Sequence, residues 1–301
     1  MNTSVIVMEN QSKEIFNIVY GFYFKRNLKT ILVLLFFTLT VNSTFAQKKE
    51  FLETTVDSLS FVNNRKTLNS LNTDAFLKKV YSKENIQIPY RLLTPKNYSS
   101  NQKYPLVITF HNSTRIGNDN ENQLEPFAKI WLRPEIYNKY QCYVIAPQFS
   151  KRSANYEKNA DGIQISKPSE DVFMLVKLIE NVEKEYPNID KNRIYLIGYS
   201  MGGSTAQNLL NIAPGKFAAI VSVAAVPDFS NLQKLNKKDI WLIHGGKDDE
   251  NPYIGSVELF NKLSSNKNLT FTTLSNLNHN NIVIPFLISE EIPKWLFEKH
   301  K

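Results

Sequence analysis

Residues 193–203 read Arg-Ile-Tyr-Leu-Ile-Gly198-Tyr199-Ser200-Met201-Gly202-Gly203. A short apolar run leads straight into G-x-S-x-G, and Ala206, Leu209, Leu210 and Ala213 follow at helical spacing. Turning from strand to helix within a couple of residues forces the central serine into a strained backbone, tolerable only where the flanking residues lack bulk. Gly198 and Gly202 supply that clearance. The turn lifts the Ser200 hydroxyl over the end of a sheet and leaves the Met201 backbone N–H at a helix N-terminus, aimed at negative charge forming beside the serine. Ser200 is thus the candidate nucleophile and Met201 a candidate oxyanion donor, and the chain around them must be an α/β structure.

The rest of the chain alternates as such a structure requires. Residues 76–81 and 87–93 predict an antiparallel strand pair, and 104–111 is apolar on both faces, as a central parallel strand would be. Further strands are predicted at 143–146, 217–226, 240–245 and 269–274, with helices at 169–186, 254–263 and 286–299. The expected fold is a doubly wound, mostly parallel sheet with an antiparallel N-terminal strand pair, in one domain over residues 75–301. Residues 47–74 are polar with isolated hydrophobes and no clear period, which predicts a loosely ordered lead-in.

Ahead of that lead-in, Lys25-Arg26 and Lys29 precede an apolar run from Ile31 to Leu39 and then small residues up to Ala46. These are the basic, hydrophobic and cleavage regions of a secretory signal over residues 25–46, and the apolar run is shorter than the ~20 residues of a membrane span. Residues 1–24 read as an over-extended start. The expectation is a secreted or periplasmic protein cut after Ala46, with no membrane attachment afterwards. The single cysteine, Cys142, lies in an apolar run, forms no intramolecular disulfide and reads as a small core residue. No Cys/His cluster has metal-ligand spacing and no glycine loop has phosphate-binding spacing, so neither metal nor cofactor is expected. The net charge of +8 is spread over scattered lysines rather than gathered into a basic stripe, which argues against a nucleic-acid partner.

A serine hydroxyl near neutral pH needs a base within hydrogen-bond reach and an acid to orient the base. Where a G-x-S-x-G elbow is used, the chain order is serine, then Asp or Glu, then His, each on a loop after a strand. His279, in Ser275-Asn-Leu-Asn278-His279-Asn280, follows the last predicted strand and is the chosen base; His300 is the penultimate residue. Three acids, Asp248, Asp249 and Glu250, compete in the loop after residues 240–245, and spacing alone does not separate them. His244, which ends that strand, reads as a structural histidine.

At this point the chain resembles the α/β-hydrolases, and among them secreted esterases and "predicted peptidases" related to polyhydroxybutyrate-depolymerase-like and feruloyl esterases. The likeness covers roughly residues 75–299. It rests on the Tyr-Pro-Leu-Val strand ending in His111, on Gly117-Asn-Asp119-Asn120-Glu-Asn-Gln123-Leu124, and on Val144-Ile-Ala-Pro147-Gln148. Ile189-Asp190 through the elbow, His244-Gly-Gly-Lys-Asp248 with Pro252, and Trp295-Leu-Phe complete it. The resemblance implies Ser200 as nucleophile, Asp248 as acid and His279 as base, acting on small-molecule or polysaccharide-linked esters without a cofactor. It also implies a second oxyanion donor in the loop after His111, where this chain has Asn112-Ser113-Thr114 instead of glycine and small residues. Asn112 is the expected donor, since asparagine tolerates a left-handed backbone. A serine peptidase on the same fold, or a weak hydrolase fold used to bind glycans or peptides, are the alternative readings.

Overall fold

The computed structural model describes residues 47–83 and 86–301; the expected start, signal segment and cleavage point lie outside them. In chain order the strands are β1 (Lys48–Leu52), β2 (Leu77–Lys83), β3 (Ile86–Leu93), β4 (Tyr104–Phe110), β5 (Tyr143–Pro147), β6 (Ala154–Lys158), β7 (Gln164–Pro168), β8 (Ile189–Tyr199), β9 (Ala219–Val223), β10 (Asp239–Gly245) and β11 (Leu269–Leu274). The helices are α1 (Ser58–Asn69), α2 (Pro126–Lys129), α3 (Pro134–Lys139), α4 (Glu170–Glu185), α5 (Met201–Ile212), α6 (Tyr253–Lys262) and α7 (Glu291–Phe297).

Nine strands make one sheet in the order β1-β11-β10-β9-β8-β4-β5-β3-β2, and β6 with β7 forms a separate hairpin. From β1 across to β5 every pairing is parallel, while β3 runs antiparallel to both β5 and β2. The predicted antiparallel N-terminal pair is therefore present at one edge. All seven residues of β4 are buried, as are all five of β5 and β9. That is the pattern of strands covered on both faces. The period of two divides the core: Leu106, Ile108, Phe110, Ile194 and Leu196 share one cluster, while Val107, Tyr195 and Ile197 belong to the other. On the first face α4 lays down Val172, Leu175, Leu178, Ile179 and Val182 at helical spacing, with Glu170 and Asp171 favourably placed in its first turn. On the second face Trp131, Phe286 and Leu296 close the core.

The structure corrects the expectation of a loosely ordered lead-in and of a domain that starts at residue 75. Residues 47–301 form one compact unit. β1 extends the sheet in register with β11, from Lys48 opposite Thr270 to Leu52 opposite Leu274. Its anchors are polar: the Gln47 side-chain amide donates to the Phe260 and Leu263 carbonyls, and the Thr272 hydroxyl donates to Glu50 Oε2 at 2.7 Å. α1 is capped by Asp57, whose side chain accepts from the Ser60 N–H at 2.7 Å, and it buries a single side chain, Leu68. An edge strand exposed on most sides and a helix with one buried residue carry no apolar period to read. The β6–β7 hairpin was missed for the same reason, and the C-terminal helix is shorter than expected, Glu291–Phe297 after a 3-10 turn at Ile284–Phe286. Cys142 is buried in the core, where desolvation pushes its thiol pKa up. Among the described residues no helix is long and apolar enough to cross a membrane.

Candidate active site

β8 ends at Tyr199 and α5 begins at Met201, so Ser200 alone makes the turn. Its backbone sits at φ 58°, ψ −126°, a region that costs a side-chain-bearing residue on the order of 1–3 kcal/mol and persists only where packing enforces it. The packing is visible in the two glycines. A Cβ on Gly198 would meet the Gly202 carbonyl oxygen at 2.2 Å, and one on Gly202 would meet the Phe110 carbonyl oxygen at 2.2 Å. The second approach also sets the end of β4 directly against the elbow. The Ser200 N–H donates to the Val223 carbonyl at 2.9 Å, tying the turn to β9.

Three of the predicted site residues meet here. His279 Nε2 lies 2.9 Å from Ser200 Oγ, and His279 Nδ1 lies 2.8 Å from Asp248 Oδ2. All three sit at the C-terminal ends of parallel strands, on the turns after β8, β10 and β11. The Asp248 side chain is fully buried, and its Oδ1 accepts the N–H groups of Glu250 and Asn251. Burial works to raise its pKa, but hydrogen bonds from His244 and His279 outweigh it and hold the carboxyl well below the usual range. An ionised Asp248 can only accept, so Nδ1 of His279 carries the hydrogen and Nε2 faces Ser200 as an acceptor.

His244 is buried and plays the structural part expected of it, with Nδ1 2.7 Å from Ser256 Oγ and Nε2 3.0 Å from the Asn251 carbonyl. The same Nε2 comes within 3.2 Å of Asp248 Oδ2, so two histidines share one carboxylate. Asp249 is exposed, and the exposed Glu250 comes no closer than 3.8 Å to His279 Nε2. Tyr199, which sequence reasoning passed over, donates its hydroxyl to the His279 carbonyl at 2.8 Å, with the two rings 5.0 Å apart. Its place just before the serine was the available signal.

The oxyanion side needs a correction. Met201 opens α5, where the first N–H groups have no carbonyl of the helix to bind. Asn112, by contrast, has an extended backbone at φ −78°, ψ 177° rather than the left-handed one expected, and its N–H donates to Glu125 Oε1 at 2.5 Å. That N–H is spent. Its side chain donates to Glu125 Oε2 at 2.7 Å and accepts from the Thr114 N–H at 2.8 Å. The Arg115 N–H donates to the Asn112 carbonyl, which also lies 2.8 Å from Nδ1 of His111. His111 Nε2 accepts the Phe149 N–H, and burial lowers the His111 pKa to about 4, so the ring is neutral. Of the four N–H groups in 112–115, only that of Ser113 has no acceptor among the described residues.

Comparison with known proteins follows these features. The model of the Phospholipase/Carboxylesterase family matches residues 149–285, which contain Ser200, Asp248 and His279. A solved thermostable esterase superposes with a TM-score of 0.69 at 28% identity, covering 76% of this chain and 64% of its own. The chain has the α/β-hydrolase fold. A solved ferulic acid esterase shares this fold at TM-score 0.55 and 14% identity, covering 73% of this chain and 97% of its own. In sequence, the bifunctional acetylxylan esterase/xylanase XynS20E of Neocallimastix patriciarum is 31% identical over 81 residues, 27% of this chain and 12% of that protein. The chain thus spans under two thirds of the thermostable esterase and about an eighth of XynS20E. Both the elbow and the two partner loops fall inside the family match, whereas β4 and the Asn112 loop lie before it.

Proposed function

We propose that this α/β-hydrolase is a secreted serine carboxylic-ester hydrolase working through an acyl-enzyme. Ser200 Oγ attacks the ester carbonyl carbon while its proton passes to His279 Nε2, and Asp248 holds the ring and balances the charge it gains. The oxyanion is received by the Met201 and Ser113 N–H groups, the latter replacing Asn112 as the second donor. Collapse expels the alkoxide, which takes the proton from His279. Water then attacks the acyl carbon, gives a proton to His279 and releases the acid as Ser200 regains its hydrogen. The observation that carries this reading is the unbroken pair of hydrogen bonds, 2.9 Å and 2.8 Å, from Ser200 through His279 to Asp248.

Esters linked to polysaccharide, acetyl or feruloyl, are the favoured substrates, because XynS20E is an acetylxylan esterase and the superposed structure a ferulic acid esterase. Export rests on the signal-like segment at 25–46. Exported protein should begin at Gln47 by mass spectrometry; recovery of an intact apolar segment would remove that part of the proposal. A fluorophosphonate probe should label Ser200, and turnover should appear on acetylated or feruloylated sugars ahead of peptides. A folded protein that resists the probe would instead be a binding module.

A further inference from the structure

Glu125 immediately precedes α2 and follows, outside it, the segment Gly117 to Leu124 that carries the resemblance, and it sits 9% exposed under the loop that faces the elbow. Its two carboxylate oxygens take the Asn112 N–H and the Asn112 side-chain amide, at 2.5 and 2.7 Å. No Lys or Arg among the described residues forms an ion pair with it. A buried carboxylate that spends both oxygens on one residue of a loop is costly to keep for packing alone. We infer that Glu125 is the positioning residue of the oxyanion loop, its two-point grip on Asn112 setting where the next N–H, that of Ser113, meets the charge forming on the substrate. The inference rests on the serine-esterase reading above. His111 holds the next peptide, which carries the Ser113 N–H, through the Asn112 carbonyl, so Asn112 is clamped at three of its polar groups.

The grip has a protonation requirement. An ionised carboxylate offers two acceptors, which the Asn112 N–H and Nδ2 fill. A protonated one keeps a single carbonyl acceptor and turns the other oxygen into a hydroxyl, which accepts more weakly and brings a hydrogen of its own, so one of the two contacts is weakened. Asn112 has no easy answer, because flipping its amide would take Oδ1 away from the Thr114 N–H, which has no other acceptor there. The surroundings oppose ionisation. Burial raises the Glu125 pKa to about 8, against weaker lowering by the Asn112 N–H, by Arg115 just beyond the loop and by Arg65 on α1. Also facing this region are Lys129 of α2 and Glu121, which line a polar cleft of about 280 Å³ together with Glu125 and Arg115, Tyr199 of β8, and the neutral His111. The cleft gives protons a route to the carboxyl. The grip therefore closes as pH rises through about 8.

The test compares wild-type protein with Glu125→Gln, Glu125→Asp, Asn112→Ala and the Glu125→Gln/Asn112→Ala double variant on one activated acetyl ester from pH 6 to 10. Glutamine keeps one acceptor but sets an NH₂ against Asn112 Nδ2. We expect kcat to fall on the order of 10² with KM little changed, the cost of a misplaced catalytic group rather than of lost binding. The wild-type kcat should show an inflection near pH 8 that Glu125→Gln lacks. Glu125→Asp should recover part of kcat, and the double variant should lose far less than the product of the single losses. Wild-type kcat and an unchanged pH profile in a folded Glu125→Gln protein would overturn the role. Should that variant fail to fold by circular dichroism, Asn112→Ala removes one arm of the grip from the loop side, and unchanged kcat there overturns it equally. Fluorophosphonate labelling separates the two failures. Wild-type protein labelled at Ser200 beside an unaffected Glu125→Gln removes only the positioning role, whereas unlabelled wild-type protein removes the esterase reading and this inference with it.

Discussion

At the scale of single residues, the site divides into groups that a local pattern reveals and groups that only three-dimensional neighbours reveal. Ser200 was legible because a left-handed serine between strand and helix demands glycine at fixed offsets, and a Cβ on either glycine would meet a backbone oxygen at 2.2 Å. Removing its oxygen closes the acyl-enzyme route while leaving the oxyanion donors. Ser200→Ala should therefore lower kcat on the order of 10⁴ or more with an unchanged circular dichroism spectrum. Retained turnover would mean another nucleophile. Asp248 was separable from Asp249 and Glu250 only through family resemblance, yet its surroundings differ sharply: its side chain is fully buried between two histidines, and the other two acids are exposed. Asp248→Asn should cost up to ~10⁴ in kcat, because an amide no longer fixes the tautomer of His279 or balances its charge, and Asp249→Asn should cost a few-fold at most. Comparing kcat/KM for both variants on one ester checks this, and a larger loss at Asp249 moves the acid by one residue. Glu125 was not legible at all, since nothing near it in sequence announces a partner 13 residues away.

At the scale of elements, the central strands were read correctly because burial on both faces leaves an unbroken apolar run, as in Tyr104–Phe110. The elements that went unread are those held by polar contacts at an edge. β1 gains its place through backbone pairing with β11 and through Gln47 and Glu50, none of which leaves a hydrophobic period. α1 is similar: its link to the His279 loop is the Arg65 guanidinium donating to the Asn280 carbonyl at 2.9 Å, one residue from the candidate base. Its one fully buried apolar side chain is Leu68, 1% exposed and part of the core cluster that contains Trp131 and Phe286, with the half-buried Phe61 packed against the same cluster. Leu68→Ala should thus cost about 2–4 kcal/mol of unfolding free energy, the range for a buried leucine that leaves a cavity. Urea titration measures it, and a loss below about 0.5 kcal/mol would mean that α1 is docked by Phe61 and its polar contacts without help from Leu68.

At the scale of the whole molecule, two buried groups that both hold Asn112 impose opposite pH dependences on stability. His111 has a folded pKa lowered from 6.5 to about 4. Its contribution is complete above the unfolded value and is lost as pH falls through the folded one, because the unfolded chain then binds a proton that the native ring refuses. Glu125 has a folded pKa raised from 4.5 to about 8. Its contribution is complete below the unfolded value and is lost as pH rises through the folded one, because the unfolded chain then ionises first. Between roughly pH 4.5 and 6.5 the two slopes oppose each other, and stability from this pair should form a shelf. From about pH 6.5 to 8 only the Glu125 slope remains, and one proton over that interval amounts to about 2 kcal/mol. Wild-type protein should therefore be less stable to urea at pH 8.5 than at pH 6 by about that amount, whereas Glu125→Gln, which has nothing to ionise, should lose little over the same range. Equal losses in the two proteins would assign the alkaline decline to other groups. The expected outcome couples the two halves of the molecule's behaviour: the oxyanion loop is gripped only above about pH 8, where the stability lost between about pH 6.5 and 8 is already gone, because both follow from ionising one carboxyl in a place that resists it.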